Sequence, residues 1–138
     1  MTLVNEQKGY LGNPLVKRDG VQDSFTQEEV SEYMKCMKDP IYFASTYVKV
    51  ISLDKGLVPY KPYEYQEKMF KHFNENRFSI VLACRQSGKS ISSVIYILWY
   101  AIFHPEKTIA ILANKGSTAR EMLARVTLAL ENLPFFLQ

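Results

Sequence analysis

Apolar residues along this chain change their spacing several times, and each change marks an expected element. From Met1 to about Asp23 neither a helical nor an alternating period holds, and Gly9, Gly12, Pro14 and Gly20 recur, which predicts an irregular or mobile arm over 1–23. Thr26 followed by Glu29 is a capping-box pattern, and Val30, Tyr33, Met34 and Met37 then share one helical face until Asp39-Pro40 stops the run. The apolar, aromatic stretch Ile41 to Ile51 does not separate helix from strand by period. Pro40, suited to a first helical position, favours helix there. A turn-rich link with Asp54, Gly56, Pro59 and Pro62 leads to a short amphipathic helix, whose face carries Tyr65, Met69, Phe70 and Phe73.

The pattern changes after Asn74-Glu75-Asn76. Phe78 to Cys84 is a brief, nearly continuous apolar run of the kind found in strands covered on both faces, so it reads as a central parallel strand. A polar loop, Arg85 to Gly88, separates it from a long apolar helix, Lys89 to Phe103, and Thr108 to Ala113 supplies a further buried strand. Thr118 and Glu121 form another capping-box pattern, with Met122, Leu123, Val126, Ala129, Leu130 and Leu133 at helical spacing up to Pro134. Strand, helix, strand and helix in that order argue an α/β fold with one βαβ unit, a parallel sheet and a right-handed crossover.

Composition narrows the class. A chain of 138 residues that is 47% hydrophobic and 22% charged suits one globular domain rather than a disordered or fibrous chain. The net charge of +3 is scattered, which permits a nucleic-acid partner without demanding one. Cys36 and Cys84 lie far apart and outside any metal-ligand spacing, so neither a disulfide framework nor a zinc site is expected. The opening residues lack the apolar core of a signal peptide, and Ile91 to Phe103 is shorter than the roughly 20 residues that span a bilayer. His72 and His104 lack a partner pattern and read as structural or surface residues, and Trp99 reads as core.

The residues that carry chemistry are Ala83-Cys84-Arg85-Gln86-Ser87-Gly88-Lys89-Ser90, which match the phosphate-loop pattern G-x-x-x-x-G-K-[ST] except that Ala83 replaces the first glycine. A loop that leaves a buried strand and opens a helix directs backbone N–H groups and the helix N-terminus at one point, where a triphosphate fits. There Gly88 allows close backbone approach, Lys89 neutralises the β and γ phosphates, and the Ser90 hydroxyl is placed for Mg²⁺. The fold expectation is therefore a partial P-loop NTPase sheet over 77–138, preceded by a helical lead-in over 24–76.

The string Cys84-Arg85-Gln86-Ser87-Gly88-Lys89-Ser90 resembles the deviant phosphate loop of tailed-bacteriophage large terminases, the DNA-packaging ATPase and nuclease, in which Arg-Gln precedes Gly-Lys. Tyr42-Phe43-Ala44, Tyr65-Gln66, Ile111 to Ser117, Leu133-Pro134 and Phe136-Leu137-Gln138 extend the resemblance in the same order, closest to the contractile-tailed type, over about 24–138. It implies ATP and Mg²⁺ as cofactors, with Tyr65 stacked on adenine and Gln66 presenting its amide to the base edge. It also implies that Gln86, Ser87, Gly88 and Lys89 cradle the phosphates and that Arg85 acts on the γ-phosphate as a finger or sensor. Lys115, in the turn Asn114 to Ser117, is implied in coupling nucleotide state to DNA. Double-stranded DNA, a portal protein, a small terminase subunit and a homo-oligomeric ring on the prohead portal are the implied partners, and the host cytoplasm the implied location.

Hydrolysis also needs a strand-end carboxylate for Mg²⁺ and a residue that orients water. Downstream of Ser90 the only acids are Glu106, Glu121 and Glu131, and none ends an apolar strand. The Asp-Glu strand motif and the nuclease domain of the family are thus absent, which marks an N-terminal portion of the ATPase domain that binds nucleotide weakly with negligible turnover. A superfamily-2 helicase fragment, or a small module that binds nucleotide or a partner without turnover, are the alternatives.

Overall fold

A computed structural model of the chain describes residues 9–21, 23–52 and 54–138; residues 1–8 and 22 of the expected arm lie outside them. Helices and strands are mixed, and the strands form two separate two-stranded antiparallel sheets. In chain order the elements are β1 (Gly9–Tyr10), β2 (Asn13–Lys17), α1 (Gln27–Lys38), α2 (Pro40–Tyr47), β3 (Lys49–Ser52), β4 (Gly56–Pro59), α3 (Glu64–Glu75), α4 (Lys89–Phe103) and α5 (Gly116–Glu131). A short 3₁₀ turn, Phe135–Leu137, follows. No helix among the described residues is long and apolar enough to cross a membrane.

Helix α4 is the centre of the core, as its composition predicts. It buries Val94, Ile95, Leu98, Trp99 and Phe103, with Phe43, Phe70, Ala129, Leu133 and Leu137 contributed from around it. Phe103 meets Tyr33 and Phe43 edge-on, at centroid distances of 5.0 and 5.7 Å. The buried Trp99 Nε1–H donates to the Cys36 carbonyl at 2.8 Å, so the indole is both packed and satisfied.

Helix α1 starts with the expected capping box: the Glu29 N–H donates to Thr26 Oγ1 at 3.2 Å and the Thr26 N–H to Glu29 Oε2 at 2.8 Å. Its buried face keeps Tyr33 of the expected one but is otherwise shifted. Val30, Met34 and Met37 are exposed, and Cys36 is buried with Tyr33 packed against the core. The physical reason is polar. Glu32 Oε2 accepts the hydroxyls of Tyr42 at 2.7 Å and Tyr47 at 2.9 Å, while its Oε1 accepts Lys35 Nζ at 2.6 Å. These bonds hold the carboxyl well below its ordinary range, at about 2, chiefly through Lys35 and then the two tyrosines. Hydropathy spacing carries no information on such a network, and it fixes the roll of α1 against α2.

Asp39 caps α2, with Pro40 at its first turn, and that helix ends at Tyr47 rather than continuing to Ile51. The rest of the stretch, with the expected turn link, is instead a hairpin: Lys49 pairs with Pro59, Val50 with Val58, Ile51 with Leu57 and Ser52 with Gly56. Tyr60 then ties the hairpin to α4 through a 2.9 Å bond between its hydroxyl and Ser92 Oγ.

Three further expectations are corrected. Residues 9–17, assigned to the irregular arm, form the β1–β2 hairpin. It is held by Gln138, whose Oε1 accepts the Lys17 N–H at 2.7 Å and whose amide donates to the Leu15 carbonyl at 3.0 Å. Helix α5 begins at Gly116, with Lys115 at its cap position and no side-chain cap bond, so Thr118 and Glu121 do not form the expected box. The largest departure concerns the two parallel strands. Segments 78–84 and 108–113 form neither helix nor strand, with no backbone-to-backbone hydrogen bond to another described residue. Phe78, Ile80, Leu82 and Leu112 are 81, 96, 101 and 88% exposed. A strand satisfies its backbone only through neighbours, and neither segment lies beside a strand here.

Candidate phosphate-binding site

The loop 84–88 leads directly into α4, whose 15 residues begin at Lys89. Gln86 and Gly88 both have positive φ, +61° and +76°, and Ser87 between them does not. Alternation of this kind turns successive N–H groups towards a common concavity suited to an anion. Gly88 meets two demands at once. Its left-handed backbone disfavours a side chain, and a Cβ there would lie 2.6 Å from Gln66 Nε2.

Three hydrogen bonds fold the loop on itself. The Cys84 carbonyl accepts both Ser87 Oγ and Lys89 Nζ at 2.9 Å, and the Tyr65 hydroxyl donates to the Ser87 carbonyl. The Lys89 ammonium therefore sits on a neutral carbonyl of its own loop, a weaker partner than a phosphate oxygen. Arg85 and Ser90 are exposed.

Helix α3 approaches the loop with its first turn. Gln66 is buried, 3% exposed, and its Oε1 accepts the Tyr63 N–H at 2.9 Å while its Nε2 faces Gly88. Beside it Tyr63 and Tyr65 are 69 and 43% exposed, with rings parallel to within 9° and centroids 5.9 Å apart. A cavity of about 750 Å³ lies between these residues, the loop at Gln86 to Gly88 and the β3–β4 hairpin. Lys55, Lys61 and Arg125 are its charged lining residues among those described, and Arg125 is paired with Glu121 of α5 at 2.6 Å. Such a wall suits a polyanion.

Of the residues singled out by sequence, Tyr65, Gln66, Gln86, Ser87 and Gly88 thus share one cavity, whereas Arg85, Lys89 and Ser90 lie on the loop outside its lining. Tyr63, Lys55, Lys61 and Arg125 were not singled out. Tyr63 stands two residues before Tyr65, a spacing readable in the sequence; the three cations come from separate elements that only the fold assembles. His72 bonds within α3 to Asn76, and His104 stacks on Tyr100 at 4.1 Å, both apart from the cavity. Cys36 and Cys84 are free thiols, and burial pushes Cys36 up to about 12.

The positive-φ turn at Gln86 and Gly88 and the ammoniums of Lys55 and Lys61 in the adjoining cavity can receive an anion. Among the described residues no three His, Cys, Asp or Glu side chains converge to hold a metal. No known protein-family model matches the chain.

Proposed function

We propose that this chain is the ATP-binding part of a bacteriophage large terminase, the motor that drives double-stranded DNA into the prohead. The observation that carries the nucleotide reading is the loop itself, with left-handed Gln86 and Gly88 leading into α4 and Lys89 folded back onto the Cys84 carbonyl. The terminase reading is supported by Arg85-Gln86 within that loop, by Tyr65-Gln66 packed against it and by the ordered further matches along the chain.

In this reading Lys89 leaves the Cys84 carbonyl for the β and γ phosphates, and backbone N–H groups at Gly88 and the start of α4 receive the remaining oxygens. Mg²⁺, when bound, spreads phosphate charge and orients the oxygens, with the Ser90 hydroxyl as its protein ligand. Arg85, exposed and outside the cavity, is free to swing onto the γ-phosphate. Segments 78–84 and 108–113 are strands of a parallel sheet that forms when further strands cover them. DNA, portal protein and small terminase subunit belong to the assembled motor, a ring on the prohead portal in the host cytoplasm.

Calorimetric titration with ATP and Mg²⁺ tests the nucleotide reading. Lys89→Ala is expected to weaken binding by at least about tenfold, the scale of a charge-assisted phosphate contact. Equal affinity in the variant would show that the loop does not hold phosphate.

A further inference from the structure

The cavity beside the phosphate loop contains an aromatic pair whose members have unequal duties. The Tyr65 hydroxyl is engaged with the Ser87 carbonyl, so its ring is tethered to the loop. Tyr63 is the more exposed, and its ring lies parallel to that of Tyr65. An exposed aromatic face at the rim of a cationic cavity is a stacking platform for a planar ring.

Gln66 is poorly placed to read a base. Discrimination between adenine and guanine requires an amide that presents donor and acceptor together to the base edge. Here Oε1 is taken by the Tyr63 N–H, Nε2 is packed against Gly88, and the side chain is buried. Gln66 instead closes the first turn of α3 beside Gly88, and the Tyr65 hydroxyl ties that turn to the Ser87 carbonyl, which sets the distance from the aromatic shelf to the phosphate cradle.

We propose that Tyr63 is the base-stacking residue of this site, and that the site accepts purine nucleoside triphosphates by stacking and phosphate contacts with little discrimination between adenine and guanine. The proposal rests on the reading of 84–90 as a phosphate loop. Tyr65 and Gln66 are positioning residues in it.

The test titrates ATP, GTP and inorganic tripolyphosphate, each with Mg²⁺, into the wild-type chain and into Tyr63→Ala, Tyr63→Phe and Lys89→Ala. ATP and GTP are expected to bind within about threefold of each other, and both to weaken about tenfold in Tyr63→Ala, as loss of one stacked base predicts. Tyr63→Phe, which keeps the ring, should restore both affinities, and tripolyphosphate should bind wild type and Tyr63→Ala equally. If ATP binds more than about thirtyfold tighter than GTP, or Tyr63→Ala leaves ATP binding unchanged while tripolyphosphate still depends on Lys89, the platform is wrong and the loop stands. If no ligand depends on Lys89, the loop reading fails and the platform falls with it.

Discussion

Helix α4 and the segment that precedes it, 78–84, are both apolar runs, and they end in opposite environments. The helix closes its own backbone hydrogen bonds and needs only side-chain cover, which α1, α2, α3 and α5 provide around Trp99. The preceding segment, as a strand, has to find both backbone partners and cover from other strands. The two antiparallel hairpins lie elsewhere, and Phe78, Ile80 and Leu82 face solvent. Segment 108–113 repeats the pattern, with Leu112 exposed. Helical order thus closes within the described residues, whereas these two apolar segments stay unpaired and exposed among them.

The contrast is most easily broken at the core. Trp99→Ala removes the indole from between Tyr96, Phe103 and the Cys36 carbonyl, and leaves that carbonyl without its donor. A loss of about 3–5 kcal/mol is expected from urea unfolding, the range for a large buried aromatic. A loss under about 1 kcal/mol would mean that α4 is not the centre of a packed core.

Much of the helical body was legible in sequence because caps and long apolar helices act locally. Thr26 with Glu29, Asp39-Pro40 and the run from Lys89 to Phe103 each predicted an element that forms. The Thr118–Glu121 box failed locally, because its helix begins earlier, at Gly116; the other failures depended on partners farther along the chain. Glu32 bonds to Tyr42 and Tyr47 shifted the face of α1, Gln138 ordered the hairpin at 9–17, and the strand at 78–84 found no neighbour. The loop pattern at 84–90 was visible in sequence because its spacing is contiguous, and it leads into α4. The Tyr63–Tyr65 shelf and the cations Lys55, Lys61 and Arg125 were not, since the cavity gathers them from several elements.

A smaller effect sharpens the helical side of the comparison. Glu32 is held at about 2, below its ordinary 4.5, so its ionised form is favoured in the folded chain. A depressed carboxylate contributes stability that is fully present above the unfolded value and is lost as pH falls through the folded one. Comparison of wild type with Glu32→Gln by chemical unfolding should therefore show a gap that is constant from neutral pH to about 4.5 and closes as pH approaches about 2. A gap that persists at pH 2 would assign the Glu32 contacts to neutral hydrogen bonding and leave ionisation without a role.

The smallest expected effect on stability is at segment 78–84. Leu82 is fully exposed, so Leu82→Lys removes no buried contact and should change unfolding free energy by no more than about 0.5 kcal/mol, as at ordinary surface positions. Its effect on association should be larger. An apolar segment with unpaired backbone invites edge pairing, and a lysine there discourages it. Light scattering against concentration should accordingly show less self-association in the variant than in wild type at equal stability. A cost above about 2 kcal/mol would instead reveal that residue 82 is covered in solution, and the division between a closed helical body and open apolar segments would no longer hold.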